Sequence, residues 1–241
     1  MKTIITNSYE EASAAGAALF ARQIWAKPDS VLGLATGGTP VGLYAHLAAM
    51  YRDGRLDFSR VRSFNLDEYY PIQKSNDQSY DYFMRQNLFN HVNIKPENIH
   101  IPNGEAADPD AECAAYEAAI AAAGGIDLQL LGIGLNGHLG FNEPEDALHA
   151  VTHLTDLTPS TVEANARFFG GDKSAVPTRA LTMGIGTILS ARKIVLVATG
   201  AAKAPILRDM FGGRITARNP SSLLALHPDV TVIADTAAMG L

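Results

Sequence analysis

The sequence predicts an α/β fold in a single domain over residues 1–241: a doubly wound, mostly parallel sheet with helices on both faces. Three observations lead there. Helical patterns alternate with short β-rich runs along the whole chain, and no shift in composition marks a linker. The runs 128–133, 194–198 and 230–234 are continuously apolar instead of alternating, as strands covered on both sides require. Glycines follow two apolar runs directly, at Gly37-Gly38 and at Gly132 and Gly134, where a parallel strand would turn toward its helix.

Taken in order, residues 1–7 are too short and polar for a signal peptide and read as a first strand. Ser8-Tyr9-Glu10-Glu11 has capping-box form, and Ala17, Phe20 and Ile24 continue it as an amphipathic helix. Residues 31–35 form a buried strand. In Thr36-Gly37-Gly38-Thr39-Pro40 the glycines let backbone amides turn inward, with Thr39 as cap and Pro40 as first residue of a helix marked by Leu43, Leu47 and Met50. A third strand, 61–66, delivers Asp67 and Glu68 to the carboxyl edge of the sheet. Helices follow at 80–88 and, opened by Asp108-Pro109, up to about 123. Between 145 and 182 the regularity weakens and Gly170-Gly171 interrupts it, so a mobile lid is expected there, an ordinary surface excursion being the alternative. Gly184-Ile185-Gly186 fits a helix-entry turn.

Nineteen Lys and Arg against 25 Asp and Glu leave a formal charge of −6, which disfavours nucleic acid and anionic membranes as partners. A lone Cys113 excludes an internal disulfide and a Cys-rich zinc site. The chain thus needs no oxidising compartment, and a cytoplasmic location is expected; no apolar run approaches the ~18 residues of a membrane span.

The segment 130–144, Leu-Leu-Gly-Ile-Gly-Leu-Asn-Gly-His-Leu-Gly-Phe-Asn-Glu-Pro, places His138 and Glu143 five positions apart just beyond a buried strand. Proton transfer near neutrality needs such a pair, although polar residues that merely cap a Gly-rich turn would read the same way. The 36–40 turn reads as an anion site by its unpaired amides and helix dipole, a plain strand-to-helix turn being the alternative, and it lacks the ending of a nucleotide-binding loop and the dinucleotide glycine spacing. Strand alternation sends Asp67 and Glu68 to different sides, so at most one faces the ligand while the other caps or pairs elsewhere; Asp67 as a base and Asp67 as a helix cap both fit its position. His149 and His153, four apart, could share a helix face as metal ligands, but they lack the Glu of a His-Glu-x-x-His site. No metal is expected.

Segments 34–40, 64–69 and 134–144 resemble, in order and separation, three signatures of the glucosamine-6-phosphate deaminase family. The likeness runs from the first strand to about residue 234, adding Ser79-Tyr80 and segments 164–169, 180–187 and 200–204. It implies a Rossmann-like sheet of the deaminase and ribose-5-phosphate isomerase type. The implied reaction is glucosamine 6-phosphate plus water giving fructose 6-phosphate and ammonia in amino sugar catabolism, without a cofactor. By the same resemblance Asp67 matches the base that moves a proton between C2 and C1, His138 the ring-opening shuttle, and Glu143 the carboxylate that orients His138. Thr36, Gly37, Gly38, Thr39, Arg167 and Lys203 match positions that hold the phosphate.

Two departures from the long members of that family carry expectations. Asn136 stands where they have an aspartate, so His138 should be easier to deprotonate. Long members also continue beyond this chain's end and use basic residues around the lid for an effector, N-acetylglucosamine 6-phosphate. Residues 146–155 offer His149 and His153 but neither Lys nor Arg, so hyperbolic kinetics and a monomer, in preference to a homo-oligomer, are expected. The alternatives are a 6-phosphogluconolactonase, which tends to have Arg where Tyr69 stands and lacks the Phe-Asn-Glu-Pro continuation, and a non-catalytic sugar-phosphate sensor. A sensor has no need of a proton-transfer set.

Overall fold

The structure, a computed structural model, describes the backbone of residues 1–241 and every side chain except those of Ser160, Ala164, Arg167 and Phe168. Strand β1 (Lys2–Thr6) leads into α1 (Tyr9–Ala26), where Ser8 accepts from the Glu11 amide and Glu11 accepts from the Asn7 amide. These contacts satisfy donors that a helix start leaves open. Strand β2 (Val31–Leu34) is buried at all four residues. Helix α2 (Val41–Arg52) starts one residue later than its spacing predicts, with Pro40 at the cap and no side-chain capping bond. The cause is local: the first intrahelical bond runs from the Tyr44 amide to Pro40 O, which leaves Thr39 in the turn.

Strands β3 (Arg62–Asn65) and β4 (Asp67–Tyr70), helix α3 (Tyr80–Asn87), the short β5 (Ile99–His100), α4 (Pro109–Ala122) and β6 (Leu128–Leu131) follow. Then come β7 (His153–Asp156), α5 (Pro159–Asn165), β8 (Arg179–Thr182), α6 (Ile185–Leu189), β9 (Ile194–Ala198), α7 (Ala204–Phe211), β10 (Val230–Asp235) and α8 (Thr236–Met239). Seven strands form a parallel sheet in the order β1-β10-β9-β6-β2-β3-β5, and helices pack around it. Its central strands β2, β6 and β9 are buried at every residue, as their continuous apolar runs require. Phe20, Tyr44, Leu47, Phe64 and Leu130 anchor the core, each large apolar side chain contributing about 1.5–3 kcal/mol of burial.

The sequence pattern missed a second sheet. Asp67 and Glu68 do not end a parallel strand; they open β4, which pairs antiparallel with β8, itself paired with β7. Leu66 is the joint between the sheets: its N–H donates to Leu34 O in the large sheet, and its carbonyl accepts from the Met183 amide just beyond β8. Tyr69, Ile72, Phe141, Leu157 and Ala180 form the small core of this second layer. His149 and His153 share no helix. His153 begins β7, His149 precedes it in a loop, and their rings stack with centroids 4.2 Å apart.

Candidate active site

Three adjacent strands of the large sheet empty onto one edge. Register pairs Leu34 with Asn65, so the Thr36–Thr39 turn after β2 and Asp67 after β3 stand level, with β6 on the other side of β2. Loops leaving parallel strands at their carboxyl ends meet by construction, and open α/β sheets bind ligands there.

The loop after β6 is folded around glycine. The Gly134 amide donates to His138 O, and the Gly137 amide donates to Gly134 O at φ +89°. A side chain on Gly134 would lie 2.4 Å from the His138 ring, so the imidazole rests on bare backbone. His138 Nδ1 stands 3.5 Å from Glu143 Oε2, an ion-pair distance without hydrogen-bond geometry. Asn136 bridges the loop, its Nδ2 donating to Glu143 Oε2 at 2.6 Å while its Oδ1 accepts from the His138 amide at 3.2 Å.

Glu143 is buried and densely supplied with donors. Thr161 Oγ1 in α5 donates to its Oε1, and Thr158 Oγ1 donates to the same oxygen at 3.5 Å. Burial alone would push this carboxyl up; interaction with His138, together with the Thr161 hydroxyl and the Asn136 amide, outweighs it and holds Glu143 at about 2. It is therefore a fixed negative charge beside the imidazole. No motif in the sequence singles out Thr158 or Thr161; in the structure Thr158 also caps α5, accepting from the Thr161 amide.

Asp67 meets this loop from the other sheet. A methyl group on Gly140 would sit 2.9 Å from Thr182 Oγ1 and 3.3 Å from Asp67 Oδ2, so glycine is what lets loop and carboxylate touch. Thr182 is the cross-strand partner of Asp67 and accepts from the Phe141 amide at 3.1 Å, which ties the loop to β8. Burial, and then the charge of neighbouring Glu68, raise Asp67 to about 8. The two acids separate as alternation requires. Glu68 turns away and accepts from the amides of Tyr69, Tyr80 and Asp81, capping α3, while burial still lifts it to about 7.

Lys203 reaches the same edge from the turn before α7, its Nζ donating to Ile133 O at 2.6 Å. Arg167 follows α5 in the short turn Ala166–Phe169, and its side chain lies outside the described residues. Two surface hollows of about 320 and about 470 Å3 lie elsewhere, one beside Arg85 and Glu112, the other beside Ile72 and Pro177. Neither is lined by Asp67 or His138. No group of three or more His, Cys, Asp or Glu arranged for a metal occurs among the described residues.

Residues 7–233 match the family model described as glucosamine-6-phosphate isomerases/6-phosphogluconolactonase. The glucosamine-6-phosphate deaminase of Thermoanaerobacter pseudethanolicus is 54% identical over 243 residues, covering 100% of this chain and 95% of that one. A solved structure of a monomeric glucosamine-6-phosphate deaminase is 44% identical, covers 100% of both chains and superposes with a TM-score of 0.97. The 6-phosphogluconolactonase of Trypanosoma cruzi shares the fold alone, at 22% identity and a TM-score of 0.78 over 99% of this chain and 96% of its own.

Proposed function

Because this chain belongs to the glucosamine-6-phosphate isomerase/6-phosphogluconolactonase family, we infer that it is a deaminase converting glucosamine 6-phosphate and water into fructose 6-phosphate and ammonia. The observation that carries the assignment of roles is the closeness of Asp67 to Gly140, two residues from His138: a methyl group added there would lie 3.3 Å from Asp67 Oδ2.

His138 takes the proton from the anomeric hydroxyl and returns one to the ring oxygen, opening the sugar; Glu143 stabilises the imidazolium formed on the way. Asp67 then removes the proton from C2 while the ammonium gives up a proton to the C1 carbonyl oxygen, and the electron pair left at C2 forms the C1–C2 double bond of a 2-amino enol, whose nitrogen lone pair is now free to form the C=N bond. Delivery of that proton to C1 leaves an iminium at C2, to which water adds and from which ammonia departs. A buried carboxyl at about 8 is a strong base once ionised, and the substrate's ammonium group, placed beside it, favours that ionised form. The Thr36, Gly37, Gly38 and Thr39 turn holds the phosphate with Lys203 and Arg167, so local donors overcome the repulsion of an acidic protein. Asn136 positions both members of the His138–Glu143 pair.

Residues 145–182 act as the lid of this site, and the enzyme works as a cytoplasmic monomer with hyperbolic kinetics. Incubation with glucosamine 6-phosphate should release ammonia and fructose 6-phosphate in equal amounts. Hydrolysis of 6-phosphogluconolactone without either product would place the chain on the other arm of its family. Equilibrium sedimentation checks the monomer.

A further inference from the structure

The phosphate turn is built from residues that do little to hold it. Gly37 has φ +109°, side chains on Gly37 or Gly38 would meet nothing within 4 Å, and no hydrogen bond among the described residues engages the amides of Gly38 or Thr39. Two tyrosines frame it. At its start the buried Tyr44 hydroxyl donates to Ala35 O at 2.6 Å and accepts from the Ala35 amide at 3.2 Å. At its far side Tyr9, the first residue of α1, donates its hydroxyl to Gly38 O at 3.1 Å and accepts from the Gly42 amide at 2.8 Å. Gly42 makes that approach possible, since any side chain there would lie 2.5 Å from Ser13 Oγ and 3.0 Å from the Tyr9 hydroxyl.

From this geometry we propose that Tyr9 is a positioning residue for phosphate binding: its hydroxyl fixes the Gly38–Thr39 peptide so that the Thr39 amide faces the ligand. The proposal rests on the phosphate role given to the turn. Carbonyl and N–H point in opposite directions across a planar trans peptide, so anchoring Gly38 O toward α1 aims the Thr39 N–H away from α1. Taking up the Gly42 amide, one of the donors a helix start leaves open, also ties the turn to the first turn of α2. A hydroxyl has one proton and two lone pairs, so a single oxygen serves both bonds. Without it, a two-glycine turn explores many orientations, and ordering it would be charged against phosphate affinity.

Tyr9 is 37% exposed, and its replacement by Phe keeps the ring while removing only the oxygen. Calorimetric titration with inorganic phosphate and steady-state kinetics with glucosamine 6-phosphate, on the intact protein and Tyr9→Phe, test the proposal. Expected are parallel rises of about fivefold in the phosphate Kd and in KM, the loss of one hydrogen bond's worth of order, with kcat within about twofold. A merely structural tyrosine would lower Tm and leave the Kd and KM alone, and that outcome overturns the proposal. Loss of kcat at constant KM overturns it equally. Failure of the unaltered protein to bind phosphate removes the role of the turn and the proposal with it; an unchanged Kd in Tyr9→Phe, against a phosphate-binding parent, removes the proposal alone.

Discussion

Two buried aspartates mark opposite ends of the large sheet and meet opposite fates. Asp127, before β6 at the amino edge, accepts from the Val31 amide and forms ion pairs with Lys27 at 2.9 Å and Arg192 at 2.8 Å. Burial raises it, but these partners win and hold it below the usual carboxylate range. Asp67, at the carboxyl edge, is equally buried and has an acid for a neighbour instead of a cation. Burial alone does not decide a carboxylate's behaviour. At one edge donors close the fold; at the other no donor among the described residues reaches Asp67, and the carboxyl stands under electrostatic tension, the arrangement expected where chemistry is done.

Asp67→Asn would break the comparison most visibly. Turnover should fall by about 10³-fold or more while substrate binding, followed by calorimetry, persists. Glu143→Gln removes the fixed charge beside His138 and should lower kcat by about 10²-fold with a smaller change in KM, measured by coupled assay of ammonia release. At the amino edge the balance reverses: Asp127→Asn should leave kcat/KM unchanged and destabilise the fold by about 2 kcal/mol, read by denaturant titration.

The same contrast appears in the pH dependence of stability. Asp67 is raised in the folded state, so its contribution is fully present below about 4 and is lost as pH rises through about 8. Asp127 is lowered, so its contribution is present above about 4 and disappears as pH falls through its folded value. Denaturant midpoints should therefore show Asp67→Asn gaining on the parent as pH rises from about 4 to about 8, and the deficit of Asp127→Asn shrinking as pH falls below about 4. Asn136→Asp has the smallest expected effect. It puts a second negative charge beside His138 in place of the donor to Glu143, which should favour the charged imidazole and move the acidic limb of kcat/KM upward by less than about one pH unit.

The large sheet was legible because β2, β6, β9 and β10 are buried on both faces, and apolar continuity reports that directly. The second sheet was not. A strand beginning Asp67-Glu68 has no apolar signature, and β8 alternates little over its four residues, so the pairing rests on contacts more than a hundred positions apart. Within the site, the grouping of Asn136, His138 and Glu143 was legible because those residues share one loop. Thr161 was not, since it reaches Glu143 from a separate helix across 18 positions. The sequence also left the division of labour between Asp67 and Glu68 open; the α3 amides that receive Glu68 resolve it.

Leu66 couples the two layers of the molecule. It hydrogen-bonds to both layers, and the next residue along is Asp67, the base proposed above. Any sliding of the small layer against the large one must twist the peptide that follows Leu66 and swing Asp67 with it. The aim of the base is thus a mechanical property of a single backbone joint, and a substrate that draws the layers together would also set the angle at which its own proton is taken.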